Sequence, residues 1–349
     1  MSETQKSGID VVIPNWNGRQ MLEICLESLV AQSFTDFNII VVDNGSTDGS
    51  TDFVRNNYPQ VKIIELSRNY GFSGAVNLGI RHSCQDWVLL LNNDIEMDHH
   101  CVEKLTEIIK SEPTQRMFAL KMCSFDQRTV LDGAGDGVLR GGVGYRLGTM
   151  ESDSDKYRLR RNVFGACAGA ALYHKSLFHS IGYFDEDFFA YLEDVDFNMR
   201  AVRAGFTCGY IPKAVVYHVG SATTGSKINP FTVKLTTRNN IYVICKNFTF
   251  LMFLRFFPAL LAYQFFWLLF VVKKGQFYSY ISGFIASLPK LVAMVKKRRK
   301  YEFPGALSVK DFSERIIESE RQVIDSIMSR RRAQGKNNKL LRLYLSLFC

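Results

Sequence analysis

The sequence has 349 residues, which is enough for one core of roughly 200–250 residues and a sizeable extension. Hydrophobic residues make up 47% of the chain, and this excludes a generally disordered protein. The net charge of +9 is unevenly distributed: residues 231–349 contain 21 basic and 6 acidic residues, whereas residues 1–230 contain 22 and 28. Because a nucleic-acid-binding domain carries its basic residues on the folded domain itself, this division argues against nucleic acid as a partner.

The cysteines and the first residues indicate the compartment. Eight cysteines are scattered without a CxxC pair or a Cys/His spacing suited to zinc, and most lie in apolar runs, as core cysteines of a reducing compartment do. The opening residues, MSETQKSGID, lack the basic and apolar regions of a signal peptide. We therefore expect a protein that is cytosolic or faces the cytosol.

Apolar segments alternate with helical patterns along the first part of the chain. Four segments are rich in aliphatic residues, and all but the third end in Asn or Asp: IDVVIPN, FNIIVVD, VKIIEL and WVLLLNND. Continuous apolar strands that alternate with helices predict an α/β fold with a mostly parallel sheet covered on both faces. Ligands of such sheets bind beyond the carboxyl ends of the strands, where Asn15, Asp43, Arg68 and Asp94 lie.

Residues 126–162 are rich in glycine, which predicts turns, hairpins and a mobile loop over the site. A dinucleotide-binding fingerprint is not predicted there, because no strand-to-helix pattern surrounds the glycines.

The character of the chain changes after residue 246. Residues 256–272, FFPALLAYQFFWLLFVV, carry no charge and reach the lower edge of a membrane span, which needs about 20 residues. A second apolar segment, YISGFIASLPKLVAMVKKRRK, ends in a basic cluster. Aromatic, apolar helices flanked by Lys and Arg favour the surface of an anionic membrane, and a helical hairpin packed on the core is the alternative.

A further helix is predicted in SVKDFSERIIESERQVIDSIMSRRR. Ser308 and Asp311 have the spacing of a capping pair, and Phe312, Ile316 and Val323 mark one helical face, typical of a core-packed or dimerising helix. The sequence thus predicts two parts. Residues 1–245 form the catalytic domain, and residues 246–349 form a basic, apolar helical extension for membrane association and possible homo-oligomerisation.

Three carboxylates, Glu193, Asp194 and Asp196, lie within the apolar segment FFAYLEDVDFNMR. The positive end of a helix dipole favours acids at a helix start, which explains one acid well but three poorly. A buried catalytic base is the other interpretation. Asp196 and Arg200 are four residues apart, which predicts an ion pair on the helix surface.

Asp94 and His218 each end an apolar, strand-like segment. Carboxylate and, in some sites, imidazole groups hold hard divalent cations in enzymes. Taken singly, Asp94 is equally typical of a turn, and His218 is more typical of a structural histidine.

Six motifs, in chain order, resemble the family-2 glycosyltransferases of the GT-A fold, and especially their bacterial rhamnosyltransferase-like branch. They are VVIPNWNG, VVDNGSTDGS, RNYGFSGAVNLGI, LLLNND, GYFDEDFFAYLEDVDFNMRA and VVYHVGSAT. The resemblance covers roughly residues 8–245. It implies the GT-A nucleotide-diphospho-sugar transferase fold, an inverting sugar transfer and a divalent metal, Mg²⁺ or Mn²⁺.

The resemblance also implies a set of donor-binding residues. Asp43 would hold the base or ribose of the nucleotide, and Arg238 resembles a basic residue that contacts phosphate. Hydrogen bonds within a loop or helix cap are the alternative for Arg68. The implied donor-binding residues are Pro14, Asn15, Asn17, Asp43, Arg68, Asn93 and Arg238.

The metal and the base are implied in the same way. The family's metal motif normally has two acids flanking a residue, but here it is Asn92, Asn93 and Asp94, so that Asp94 and His218 are the implied ligands. Asp194 would be the general base that deprotonates the acceptor hydroxyl, and Glu193 would orient the site. Burial among aromatic residues and repulsion from Glu193 would raise the pKa of Asp194, as a base requires.

The sequence therefore predicts an inverting, metal-dependent glycosyltransferase bound peripherally or monotopically to the cytoplasmic face of the inner or plasma membrane. Its donor would be dTDP-rhamnose or another dTDP- or UDP-sugar, and its acceptor a lipid-linked or growing cell-surface glycan. The alternative is a catalytically inert, sugar-nucleotide-binding scaffold subunit, which the depleted metal motif suggests. The intact Glu193–Asp194 pair argues against that alternative, because a binding subunit needs no base.

Overall fold

The structure is a computed structural model that describes residues 8–220, 228–300 and 305–348, without the side chains of residues 299–300 and 347–348. Residues 1–7, which are most of the segment MSETQKSGID on which the signal-peptide prediction rests, lie outside these ranges. So do Cys349 and the last three residues of the VVYHVGSAT motif.

The strands and helices alternate over the first half of the chain, as the apolar segments predict. The strands are β1 (Ile9–Asn15), β2 (Phe37–Asp43), β3 (Lys62–Glu65), β4 (Trp87–Leu91), β5 (Ile95–Met97), β6 (Met117–Ser124), β7 (Leu131–Ala134), β8 (Asp136–Leu139), β9 (Val143–Arg146), β10 (Arg161–Val163), β11 (Ala170–His174) and β12 (Cys208–His218). The helices are α1 (Arg19–Val30), α2 (Ser50–Asn57), α3 (Gly71–His82), α4 (Cys101–Ser111), α5 (Lys175–Ile181), α6 (Glu193–Arg203), α7 (Pro230–Asn247), α8 (Phe250–Lys273), α9 (Phe277–Ser287), α10 (Leu291–Lys300), α11 (Val309–Ala333) and α12 (Lys339–Phe348).

The central sheet has the strand order β10-β12-β6-β11-β4-β1-β2-β3, with β5 paired to β12 and β7 paired to β6. The strands β4, β1, β2 and β3 are mutually parallel. β11 runs antiparallel to both β4 and β6, so the sheet becomes mixed beyond β4. The predicted α/β fold is confirmed, and the antiparallel pairs are the part that the apolar segments alone do not specify.

Both faces of this sheet are buried. Along β1, Val12 contributes to the core on one face, while Val11 and Ile13 contribute to the core on the other. This alternation explains why the strands are continuously apolar in sequence. The polar residues at the strand ends are therefore held in place by a sheet that is packed on both faces.

The hairpin formed by β8 and β9 stands apart from the central sheet and is covered by α11. The backbone N–H of Val138 donates to the hydroxyl of Ser319 at 2.7 Å, and the N–H of Gly148 donates to Ser326 at 3.0 Å. A Cβ at position 137 would lie 2.5 Å from Val323 Cγ2, so that only glycine fits there. The apolar face predicted for this helix is buried within the chain.

The helices α8 and α9 present their apolar side chains outward. Two segments, Phe250–Lys273 and Phe277–Arg298, are long and apolar enough to cross a membrane, and only 22% and 17% of their most apolar windows are buried. Core helices of a soluble protein are mostly buried, so these two segments have instead the exposure of a membrane-contacting surface. This agrees with the predicted membrane-associating extension.

Candidate functional site

A cleft of about 450 Å³ opens at the carboxyl ends of β1 and β4, where a sheet of this kind binds its ligands. We call it the donor cleft. Its lining includes five residues that the sequence assigned to the site: Pro14, Asn15, Asn93, Glu193 and Asp194. The residues of the loop before α6, the β9 strand and the segment around Cys167 form its other walls.

Asn15 joins the ends of three strands at the base of this cleft. Its side-chain amide donates to Asp43 Oδ1 at 3.1 Å, and its own Oδ1 accepts from Asn93 Nδ2 at 2.8 Å. The other carboxylate oxygen of Asp43 accepts from the backbone N–H of Ser46 at 2.9 Å. These contacts bring three predicted donor residues together, and they hold Asp43 in a fixed position.

Asn17 lies at the rim of the same region and is exposed. Its Oδ1 accepts from the N–H of Thr47 at 2.8 Å, and its own N–H donates to Ser46 Oγ at 2.9 Å. It thereby ties the loop after β1 to the loop after β2. This turn requires a φ of 48° at Asn17, a value that is uncommon for a residue with a Cβ.

The structure places Arg68 and Arg238 away from the lining of the donor cleft. Arg68 is exposed, and its guanidinium lies 4.8 Å from the ring centroid of Tyr70. Arg238 donates through Nη2 to the carbonyl oxygens of Asp187 and Phe188, at 3.2 and 2.7 Å. In this conformation Arg238 braces the backbone before the Glu-Asp pair, and its contact with phosphate stays a prediction.

Asp94 and His218, the predicted metal ligands, lie side by side although 124 residues separate them. His218 Nε2 is 3.4 Å from Asp94 Oδ2, and both side chains are 8% exposed. Asp94 Oδ1 is buried without a hydrogen-bond partner among the described residues. A buried carboxylate oxygen is costly unless something binds it, so this oxygen and the adjacent imidazole fit a divalent cation.

Asp132, which the sequence analysis missed, orients His218 from its other side. His218 Nδ1 is 2.7 Å from Asp132 Oδ2, the partner that fixes the ring of a metal-binding histidine in many sites. Burial lowers the pKa of His218, but hydrogen bonds to Asp132 and Asp94 outweigh it and leave the pKa above its ordinary value. The glycine-rich segment around Asp132 has no periodicity that could have identified it.

Arg146, on β9, is a second residue that the sequence did not single out. Its Nη1 pairs with Asp132, and its Nη2 lies 3.2 Å from Cys167 Sγ. It thus places a positive charge between the Asp94–His218 pair and the carboxylates around α6. A fixed cation at such a position is suited to anionic ligands.

A cluster of Asp136, Cys167 and Asp194 lies on the opposite side of Arg146, with one ligand atom from each within 4.8 Å of the others. Burial, followed by the charge of Asp194, raises the pKa of Asp136 to about 7. Thiolates favour softer metals, whereas Mg²⁺ and Mn²⁺ prefer oxygen ligands. The Asp94–His218 pair is therefore the better fit for the predicted ions.

Glu193 and Asp194 begin α6 and face the donor cleft. Burial raises the pKa of Asp194, and although Arg146 and backbone hydrogen bonds lower it, the net shift is upward. Burial and the charge of Asp194 raise the pKa of Glu193 well above its usual range, and its Oε2 has no hydrogen-bond partner among the described residues. The upward shift of Asp194 has the direction that the sequence predicts, and such pairs are typical of acid–base sites.

The backbone that leads into this pair is strained. Phe189 has φ 65° and ψ −67°, and the N–H of Ala190 donates to the carbonyl of Phe188 at 2.8 Å, which makes a γ-turn of the rare, positive-φ kind. Tyr191 and Leu192 follow with φ of 69° and 65°. Three of the four residues 189–192 therefore have a positive φ although they carry side chains, and surrounding contacts must stabilise this strained backbone.

Asn239 stabilises this strained backbone. Its side chain is fully buried, and its Nδ2 lies within 3.0 Å of three carbonyl oxygens, those of Phe188, Ala190 and Tyr191. From the opposite side, the N–H of Ser73 donates to the carbonyl of Phe189 at 3.2 Å. The loop that leads into the predicted base is therefore held by contacts from both α7 and α3.

The Asp196–Arg200 ion pair exists, but the predicted surface position is wrong. Arg200 Nε is 3.0 Å from Asp196 Oδ2, and both side chains are almost completely buried. Lys246 Nζ lies 2.8 Å from Asp196 and 2.8 Å from Asp185. The spacing indicated the bond correctly, but α7 covers this face of α6 and converts a surface pair into a buried network.

The chain is similar to known glycosyltransferases. The family model described as Glycosyl transferase family 2 matches residues 10–182. The chain is 28% identical over 240 residues to the N-acetylglucosaminyl-diphospho-decaprenol L-rhamnosyltransferase of Mycobacterium tuberculosis, over 62% of this chain and 78% of that protein. It is 27% identical over 195 residues to a PGL/p-HBAD biosynthesis glycosyltransferase of Mycobacterium bovis, over 54% and 68%.

Solved structures of TarS from S. aureus share the fold. The complex with UDP-GlcNAc has a TM-score of 0.54 and 18% sequence identity, and the complex with UDP has a TM-score of 0.52 and 17% identity. Each comparison covers 94% of this chain and 92% of the other. At this level of identity the likeness supports the predicted GT-A type of fold and nothing finer.

Proposed function

The chain contains a glycosyltransferase domain of family 2, as its motifs predict, and on that premise we propose that it transfers rhamnose from dTDP-rhamnose, with inversion, to a lipid-linked glycan. The observation that carries the proposal is the pair of buried Glu193 and half-buried Asp194 facing the donor cleft, where the pKa of each carboxyl is raised. A general base needs such proton affinity and such access to the acceptor. The sugar and the lipid acceptor are taken from the name of the Mycobacterium tuberculosis relative.

Asp194 acts as the base in the proposed reaction. Its carboxylate accepts the proton of the acceptor hydroxyl while the acceptor oxygen forms a bond to the anomeric carbon of the sugar. The bond from that carbon to the diphosphate breaks on the opposite face, and the nucleoside diphosphate leaves with the electron pair. Glu193, protonated because of its burial, orients the site without competing for that proton.

Asp94 and His218 would hold the divalent cation, with Asp132 orienting the imidazole. When bound there, Mg²⁺ or Mn²⁺ neutralises negative charge on the diphosphate of the leaving nucleotide. Arg146 contributes a second, permanent positive charge from the protein itself. Asn15 and Asn93 line the cleft in which the nucleotide would bind, and Asp43 accepts a hydrogen bond from Asn15.

The proposal places residues 1–245 in the catalytic domain and residues 246–349 in the extension. We assign the outward apolar faces of α8 and α9 to the cytoplasmic surface of the inner or plasma membrane, where a lipid-linked acceptor is anchored. Homo-oligomerisation stays a prediction.

The test is sugar transfer by the purified full-length chain in detergent. The donors are dTDP-rhamnose and UDP-sugars, and the acceptor is N-acetylglucosaminyl diphosphate on a polyprenol, with Mn²⁺ or Mg²⁺ present. We expect rhamnosyl transfer with inversion, measured by NMR of the product, and a loss of about 100-fold or more in kcat for Asp194→Asn with donor affinity retained. Full turnover by Asp194→Asn would refute the assignment of the base.

A second candidate function is a sugar-nucleotide-binding scaffold subunit, because Asn92 stands where the family's metal motif has its first acid. It predicts donor binding by the wild-type chain without hydrolysis or transfer for any donor, metal or acceptor. Transfer in the experiment above would exclude it.

A further inference from the structure

A groove of about 510 Å³ lies between α8, α11 and α12 and ends at the tip of the β8–β9 hairpin. We call it the tail groove. Its apolar walls come from all three helices, and they include Ala262, Tyr263, Phe266, Ile324, Ile327 and Leu340. Its volume lies within the usual range of ligand pockets, about 300–1,000 Å³.

The tail groove exposes large apolar side chains. Phe266 is 58% exposed, Leu340 is 74% exposed and Leu343 is 55% exposed, although each belongs to its lining. The polar groups nearby are engaged within the protein: Tyr344 Oη donates to Glu320 at 2.9 Å, and Arg331 Nε donates to Asn338 Oδ1 at 3.1 Å. The groove therefore offers a ligand apolar contact rather than polar recognition, and covering this surface would be favourable.

The tail groove is continuous with the membrane-facing surface. The same helix, α8, turns Ala262 and Phe266 into the groove and the exposed Leu261 and Phe265 outward. A flexible apolar chain could pass from a bilayer around α8 into the groove while remaining among apolar side chains. This continuity favours a lipid chain over a soluble peptide as the occupant.

The β8–β9 hairpin connects the tail groove to the donor cleft. Leu139, at the end of β8, lines the groove, and Asp136, at the start of the same strand, lines the cleft. At about 3.3 Å per residue along a strand, the two ends are about 10 Å apart. That is the length scale of a diphosphate and a sugar, the groups that separate a lipid chain from the reacting hydroxyl in a lipid-linked glycan.

We propose that the tail groove binds the polyprenyl chain of a lipid-linked acceptor and so places its sugar beside Asp194. This inference rests on the proposed function for the identity of the acceptor. The groove determines which acceptors are used efficiently: those whose apolar chain is long enough to fill it.

The test compares two acceptors with the same N-acetylglucosaminyl diphosphate head, one with a decaprenyl chain and one with a water-soluble, two-isoprene chain. Ala262→Trp in the full-length chain fills the groove, and Leu261→Trp adds the same side chain on the outer face of α8. We expect Ala262→Trp to raise KM for the decaprenyl acceptor at least tenfold, with KM for the short acceptor unchanged. Leu261→Trp should leave both values unchanged. An equal effect of Ala262→Trp on both acceptors, or none on either, would overturn the proposal.

A binding experiment separates this proposal from the proposed function. A polyprenyl diphosphate that carries a terminal benzophenone is photocrosslinked to the full-length chain in nanodiscs, and the sites are mapped by mass spectrometry. Crosslinks at Ile324, Ile327 or Leu340 that disappear in Ala262→Trp support the groove even if no sugar is transferred, in which case the proposed function alone fails. Crosslinks confined to outward residues such as Phe265 overturn the groove, whatever the transfer assay gives.

Discussion

The side-chain amide of Asn239 lies 2.7 Å from the carbonyl oxygen of Tyr191, two residues before the Glu193–Asp194 pair. The same amide reaches the carbonyls of Phe188 and Ala190, so one buried group stabilises a backbone that three positive φ angles leave strained. The position of the proposed base thus depends on a residue that lies outside the donor cleft.

Asn239→Asp is expected to lower kcat about 100-fold with little change in donor Kd. The substitution keeps the size of the side chain but turns an oxygen toward three carbonyls, so the loop shifts and the base is misplaced, and a displacement of about 1 Å can cost that much. Steady-state kinetics and calorimetric titration of the donor would measure the two effects. Asn57→Asp is the matched control, because exposed Asn57 also donates to a carbonyl, that of Phe53. An unchanged kcat in Asn239→Asp would rule out the positioning role.

Arg146→Met is expected to move the ascending limb of the pH–rate profile to higher pH. The base must lose its proton to act, so kcat/KM rises with pH through the raised pKa of Asp194. Burial raises that pKa, and the positive charge of Arg146 opposes the shift. Without this charge Asp194 keeps its proton to higher pH. Profiles of kcat/KM between about pH 5 and pH 9 would measure the shift.

The control for this prediction is Arg158→Met, which removes an exposed cation paired with the exposed Asp155. It should leave the profile in place. A profile of Arg146→Met that coincides with the wild type, or moves to lower pH, would contradict the assignment of the limb to Asp194.

Metal dependence should follow the Asp94–His218 pair. Chelation is expected to abolish transfer, and Mn²⁺ or Mg²⁺ is expected to restore it. Asp132→Asn should weaken Mn²⁺ binding about 10- to 100-fold, because it removes the group that orients the imidazole. Titration of Mn²⁺ followed by electron paramagnetic resonance measures the affinity without turnover. His100→Ala, at an exposed histidine paired with Glu103, should bind Mn²⁺ like the wild type; equal affinities in Asp132→Asn and the wild type would place the ion elsewhere.

Lys246→Met is expected to lower the free energy of unfolding by about 3–5 kcal/mol, because it leaves two buried carboxylates, Asp185 and Asp196, without a shared cation. Lys104→Met is the control, since Lys104 pairs with the more exposed Glu107 and should cost about 1 kcal/mol or less. Urea unfolding followed by circular dichroism would measure both. Similar losses in the two variants would argue against a stabilising role for the buried network.

The pH dependence of that network has a defined sign. Burial raises the pKa of Asp185 and of Asp196. Lys246 and neighbouring cations lower both pKa values by a larger amount, so both folded-state values lie below the ordinary value of 3.8. The stabilisation is therefore present above about pH 4 and lost as the pH falls through the lowered values. In Lys246→Met this acid-dependent part of the unfolding free energy should shrink.

The sequence predicts the parallel half of the sheet because β1 to β4 are continuously apolar. The family resemblance, and not the strand pattern, implies that Asp94 and His218 are partners. The sequence does not indicate Asp132 or Arg146. Both lie in a glycine-rich segment whose hairpin is positioned by contacts far along the chain.

The four-residue spacing of Asp196 and Arg200 does not predict that the pair is buried, because α7, which covers it, begins 30 residues after Arg200. Asn239 likewise carries no sequence signal, because its partners are backbone carbonyls. In each case local patterns predict the element or the bond, and tertiary packing decides what surrounds it.

The hydrogen bond from Val138 to Ser319 joins residues 181 positions apart. On a ribosome, the β8–β9 hairpin is therefore made long before the helix that covers it, and a nascent chain that ends before Ser319 leaves Val138 and its neighbours facing water. Contacts of such separation form late and slowly. One wall of the donor cleft thus takes its final form only after Ser319 has been made, so a chain terminated before that residue would be released without a finished catalytic centre.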